Sequence, residues 1–95
     1  MAFEKAKMLM ELKKLQSQLS KEVVEVEAGD GAVVIQVTGE QKIKQVKLDP
    51  AKIDMSEPER LERWLESAIS QAITKSQQVA AEKMKSLGGL GLPGF

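Results

Sequence analysis

Lysines are the side chains in this 95-residue chain whose type and spacing suggest chemistry. The stretch GEQKIKQVKLDP, residues 39–50, sets Lys42, Lys44 and Lys47 among Ile43, Val46 and Leu48. An ammonium is a compact point charge suited to phosphate oxygens. Further lysines stand near both chain ends: Lys5, Lys7, Lys13 and Lys14, and Lys75, Lys83 and Lys85. Other chemistries lack parts. With no histidine and no cysteine, the commonest general base, the commonest metal ligand, thiol nucleophiles, disulfides and zinc thiolate sites are excluded. The turn glycines at 29, 31 and 39 match no phosphate-binding loop pattern. Glu62 and Glu66, one helical turn apart, are a remote carboxylate metal option, and pairing with neighbouring bases accounts for them more simply. The reading is a protein that is not an enzyme and needs no cofactor, metal or small-molecule substrate.

Fourteen basic and fourteen acidic residues leave no net charge, but the charges are segregated. Residues 1–21 carry five lysines against Glu4 and Glu11. Residues 22–38 carry Glu22, Glu25, Glu27 and Asp30 with no base, and residues 39–52 carry four lysines against Glu40 and Asp49. Residues 53–71 are acidic, and residues 72–95 return to three lysines against Glu82. Such local fields, rather than net charge, decide where a polyanion settles. No signal-peptide pattern opens the chain, and no apolar run approaches the roughly 20 residues of a membrane span. A soluble cytoplasmic protein without membrane contact is expected.

The elements that must position these lysines follow from periodicity. Residues 2–21 predict a helix, because Met8, Leu12, Leu15 and Leu19 recur at heptad-like spacing. Residues 21–28 switch to alternation and predict a strand, with GDG at 29–31 as a hairpin turn. AVVIQVT, residues 32–38, is the most β-branched run and predicts the central strand. GEQ at 39–41 turns the chain into a third strand over 42–48, which Asp49-Pro50 ends. A second helix is expected from a capping box at Ser56 and Glu59, with Pro58 in its first turn, to about Leu87. The predicted fold is α+β, in the order α-β-β-β-α, with a three-stranded antiparallel meander and two long helices. Residues 1–87 form one dimerising domain and residues 88–95, GGLGLPGF, a flexible Gly-rich tail. A small meander cannot cover apolar seams on two such helices, so a second copy is the economical way to bury the rest. The expected dimer interface is Leu12, Leu15 and Leu19, with Val33, Ile35 and Val37, and Leu65, Ile69 and Ile73. Trp64 lies on the apolar face of the second helix, a core or interface position. With Phe3 and Phe95 the only other aromatics, no base-stacking platform exists.

This layout resembles the YbaB/EbfC family of bacterial nucleoid-associated proteins. The resemblance is carried by ELKKLQSQL (11–19), VVIQVTGEQKIKQVKLDP (33–50), AISQAITKSQQVAAEKM (68–84) and LPGF (92–95), and covers nearly the whole chain. It implies a tweezer-like homodimer with a shared central sheet, which binds double-stranded DNA in the nucleoid. It also implies replication or recombination proteins as partners, since family genes often lie beside theirs. One departure is that some members carry a more basic central strand with adjacent arginines, while here the bases are alternating lysines, on the third strand. Arginine makes the bidentate guanine contacts that read sequence, and lysine does not.

Two lysine groups are therefore candidates for DNA. If the long helices run antiparallel, Lys5, Lys7, Lys13 and Lys14 share a zone with Lys75, Lys83 and Lys85. The alternative is solvated helix faces with local pairs to Glu4, Glu11 and Glu82. The secondary group is the third strand, where strict alternation puts Lys42 and Lys44 on one face and Lys47 on the other. Edge protection and cross-strand pairing with Glu25 or Glu27 are its alternatives. A competing function is a protein-interaction or chaperone-like helical tweezer, gripping apolar clients through Met1, Phe3, Met8, Leu9 and Met10.

Overall fold

A computed structural model describes residues 2–86 of the chain. The elements run α1 (Ala2–Lys21), β1 (Val23–Ala28), β2 (Val33–Thr38), β3 (Ile43–Leu48), a 3-10 turn (Pro50–Lys52) and α2 (Pro58–Ser86). The α-β-β-β-α order is the expected one. The sheet is antiparallel with strand order β1-β2-β3, so β2 is central and both neighbours are edges. The expected helix end at Leu87 and the tail at 88–95 lie outside the described residues, as do Met1 and the side chain of Phe3.

The β1–β2 turn holds Gly29, Asp30 and Gly31 at positive φ, where glycine has no Cβ to strain. Gly29 is needed twice over. The Trp64 ring lies against it, and an added Cβ would come 2.5 Å from Trp64 Cδ2. Trp64 is thus seated over the hairpin, beside the core.

One face of the sheet is apolar. Val33, Ile35 and Val37 of β2 are flanked by Ala28, Val26 and Val24 of β1 and by Leu48, Val46 and Ile43 of β3. On this inner face α2 lies across β1 and β2. Its contact stripe is Ala68, Ala72 and Ser76, spaced four apart on one side of the helix, and all three are fully buried. Their small side chains let the helix approach the strands closely. The Ser76 hydroxyl is satisfied by donating to the Thr38 carbonyl at 2.7 Å, as a buried polar group requires.

The start of α2 differs from the capping-box expectation. The Ser56 hydroxyl donates to Asp54 Oδ1 at 2.6 Å, and the Ser56 N–H donates to the same oxygen at 2.9 Å. Asp54 claims the serine for a local turn, and the helix begins at Pro58. A carboxylate two residues back accepts these bonds more strongly than the serine could cap.

Helix α1 meets the body at its C-terminal end. Leu15 and Leu19 are buried, while Met8, Leu9, Met10 and Leu12 are exposed. Leu19 and Val79 both crowd the α-carbon of Gly39, and Lys83 Nζ lies 3.2 Å from Glu22 Oε1. The chain measures 63 × 20 × 16 Å. Helices of 20 and 29 residues span about 30 and 43 Å at 1.5 Å per residue. Neither fits across the short dimensions, and side by side they would not reach 63 Å. The first half of α1 therefore projects past the end of α2 as an arm.

Candidate nucleic-acid interface

The end-lysines form a string rather than one patch. Lys5, Lys7, Lys13 and Lys14 are exposed along α1. Lys5 and Lys7 lie on the projecting part of the arm. Lys14 has Glu11 at 4.0 Å, a loose surface pair one turn away worth little in water. Lys83 is half-buried and engaged with Glu22, where it ties α2 to the base of α1. Lys85 is exposed one residue from the described end of α2. Lys75 is set apart. It follows Gln71 by one turn, and Gln71 Nε2 donates to the Glu27 carbonyl at 3.2 Å, which places that flank of α2 beside β1. The antiparallel arrangement thus brings Lys83 and Lys85 toward the root of the arm and leaves Lys75 over the sheet.

The third strand breaks strict alternation. Val37 opposes Ile43 and Gln36 opposes Gln45, so Lys44 is an inserted residue, a β-bulge. Downstream, Ile35 opposes Val46, Val34 opposes Lys47 and Val33 opposes Leu48. Lys42 stands opposite Thr38, whose N–H donates to the Lys42 carbonyl at 2.8 Å. The apolar residues of β3 all take the inner face, and Lys42 and Lys47 both take the outer face. Lys44 shares Gln36 as its opposite neighbour with Gln45, and so lies with the outer set. The expectation that Lys47 lies apart from Lys42 and Lys44 is therefore corrected. The signal was present in the spacing of Ile43, Val46 and Leu48, three and then two, because an odd step in an alternating strand requires an extra residue.

Cross-strand pairing with Glu25 or Glu27 is also corrected. Those glutamates are on β1, and β2 intervenes. Two strand spacings, about 9.6 Å, separate β1 from β3. The direct neighbours on β2 are Thr38, Gln36 and Val34, none charged, and Glu25 accepts from Gln36 Nε2 at 3.3 Å. Lys52, by contrast, is spent on structure, donating to the Asp30 carbonyl at 2.6 Å.

The residues expected at a dimer interface divide in two. Val33, Ile35, Val37, Leu15 and Leu19 are buried within the single chain. Leu12, Ile69 and Ile73 are exposed and Leu65 is half-buried. Ile69 and Ile73 lie on the flank of α2 away from Gln71, hence toward β3. They are 47% and 45% exposed, beside Ile43 at 52%, Val46 at 50% and Leu48 at 49%. Because α2 covers β1 and β2, the inner face of β3 is left bare, an exposure that sequence reasoning missed. An apolar hollow lined by Leu48, Pro50, Ile53, Met55 and Leu61 continues this face.

The surroundings of Asp54 strengthen its acidity. The Ser56 hydroxyl bond, then the Ser56 N–H, with Arg60 nearby, hold its carboxyl below the usual 3.8. That is a helix-entry device and not a reactive acid. Among the described residues no group of three or more acidic side chains could hold a metal ion, and no helix is long and apolar enough to cross a membrane.

The structure is a small α+β scaffold with a lysine-bearing helical arm. The profile of the YbaB/EbfC DNA-binding family matches residues 2–91, and the chain belongs to that family. A nucleoid-associated protein of Dictyoglomus turgidum is 38% identical over 96% of this chain and 92% of its own length. A second nucleoid-associated protein, from Moorella thermoacetica, is 35% identical over 86% of this chain and 80% of its own. The fold is similar to that of an uncharacterized protein of Helicobacter pylori, HP0035, with a TM-score of 0.65 over 92% of this chain and 96% of that one, at 18% identity.

Proposed function

We propose that the protein is a nucleoid-associated double-stranded-DNA-binding protein that acts as a homodimer and contacts mainly the phosphate backbone, with little or no sequence specificity. The observation that carries this reading, beside family membership, is helix α1, with Lys5 and Lys7 exposed on its projecting half and Lys13 and Lys14 exposed nearer the body. Phosphate contacts position a protein on the duplex but carry no sequence information, and lysine lacks the fork that reads guanine. The second copy is assigned to the bare inner face of β3 and the adjoining flank of α2. Five aliphatic side chains near half exposure make a patch on the order of 400–500 Å², a size that in monomers marks a binding face. Twofold pairing would double the lysine arms.

The test is a titration of two unrelated duplexes at 50 and 200 mM salt, with the wild type and Lys13→Glu/Lys14→Glu. The expected result is similar affinity for both sequences, steep loss with salt, and uniform weakening in the variant. Wild-type affinity that ignores salt would overturn the phosphate reading. It would favour a protein-interaction or chaperone-like module, a reading supported by the exposed Met8, Leu9, Met10 and Leu12 of the same arm, since apolar contacts are not screened.

A further inference from the structure

We propose that the outer face of the sheet is a second duplex-DNA contact surface, separate from the helical arm, on which Lys42, Lys44 and Lys47 meet the phosphate backbone. The proposal rests on the DNA-binding reading and adds to it where on the chain a second run of phosphates is held.

The register assembles the site. An unbulged strand that kept Ile43 inward would send Lys42, Lys44 and Val46 outward and turn Lys47 inward. The single insertion at Lys44 reverses everything beyond it. It turns Val46 and Leu48 inward and Lys47 outward, so one backbone feature sorts all the apolar residues from all the cations. Bulges at sheet edges commonly re-aim side chains in this way.

On β3 itself the charge is uncompensated, and the acids that share the outer face, Glu25 and Glu27, stand two strands away on β1. None of the three lysines has an ion pair among the described residues. Their neighbours across β2 are neutral. All three are exposed, as is every residue of β3. From Lys42 to Lys47 the strand runs about 13–16 Å at 3.3 Å per residue, allowing for the bulge. That spans a groove edge about 12 Å wide. Edge protection alone would not require this arrangement, because a lysine on either face of an edge strand discourages pairing with another sheet. A second copy seated on the inner face of β3 would leave the outer face open, so dimerisation and this contact do not compete.

The experiment is a salt series from 50 to 200 mM with one duplex, comparing wild type, Lys42→Gln/Lys44→Gln/Lys47→Gln and the triple arginine variant. Each lost phosphate contact lowers the slope of log affinity against log salt by about 0.9. Over a fourfold salt change, the three contacts of one chain correspond to about a 40-fold smaller salt-induced loss in the glutamine variant, and those of both chains of the dimer to about 1,800-fold. The arginine variant should keep the wild-type slope. Circular dichroism of both variants reports their folding. If the wild type binds and the glutamine variant keeps its slope and affinity, the outer face is not a contact surface, and lower solubility of that variant would then mark the lysines as edge protection. If the wild type binds no duplex at 50 mM salt, this inference and the DNA-binding reading fail together.

Discussion

Ile69 offers the most direct test of the dimer. It sits on the flank of α2, 47% exposed in the single chain, one residue from the buried Ala68 but outside the core cluster of Val26, Val33, Ile35, Val37, Ala68 and Ala72. Replacing it should therefore spare the fold and strike the partner. The exposed part of the side chain is on the order of 90 Å², or about 2 kcal/mol at 25 cal/mol per Å². Twofold symmetry brings the residue in twice, for about 4 kcal/mol. Ile69→Glu removes that burial and places two carboxylates against apolar surface, each with a desolvation penalty of several kcal/mol. The burial part alone raises the dimer dissociation constant about a thousandfold. Sedimentation equilibrium from low to high micromolar concentration would follow it, with circular dichroism to check that helix and sheet content persist. The wild type should show twice the chain mass, and Ile69→Glu a single chain with the wild-type spectrum. An unchanged dimer constant in the variant would refute the assignment of this face. So would a monomeric wild type, since the bare inner face of β3 would then need another occupant.

Two further outcomes follow from local geometry. Gly29→Ala adds a Cβ at a φ of +65° and drives it into the Trp64 ring, so a loss of about 2 kcal/mol is expected from the left-handed backbone and the displaced ring. Thermal melting should fall by roughly 8 °C or more, with a red shift in the fluorescence of the only tryptophan; a melt within 2 °C of wild type and unchanged emission would mean the ring is not held by the turn. Asp54 has its acidity strengthened in the folded chain, so its contribution is present above the usual 3.8 and is lost as pH falls through the lower folded value. The small stability gap between wild type and Asp54→Asn should be constant near neutrality and close in acid unfolding below that value; a gap undiminished there would assign the effect to something other than the ionised carboxylate.

The elements themselves were legible in the sequence because periodicity is local. Heptad-like spacing in residues 2–21 and the β-branched run in 32–38 place α1 and β2 within a residue of where they lie. The entry to α2 was less legible, because Ser56 has two suitors and the choice depends on the turn at Asp54. Which apolar residues α2 covers and which it leaves bare was not legible at all. Val33, Ile35 and Val37 are the most apolar residues of the sheet and looked like interface, yet they are what α2 covers. Ile43, Val46 and Leu48 are of the same kind and remain bare. Cores and dimer interfaces draw on the same residue types, so only the placement of α2 separates them. That placement is a non-local consequence of the stripe of Ala68, Ala72 and Ser76.

The same stripe explains why one edge of the protein carries two opposed surfaces. Small residues seat α2 closely over β1 and β2, while Trp64, Leu61 and Leu65 anchor its early turns to the core. The helix has no surface left to shelter β3. A strand left bare on its inner face must either be polar there or find a partner, and here it is aliphatic. The bulge then keeps the lysines off that face, because Lys47 turned inward would set a charge where Ile69 and Ile73 need apolar contact, at the cost of burying an ion. Sorting at Lys44 would thus serve both proposed surfaces at once. It follows that deleting the inserted residue should damage dimerisation and the outer lysine row together, whereas the triple glutamine change should touch only the second. Independent loss under one change and joint loss under the other would tie the bulge to both roles. A deletion that left the dimer intact would show that the inner face of β3 is not where the second copy sits.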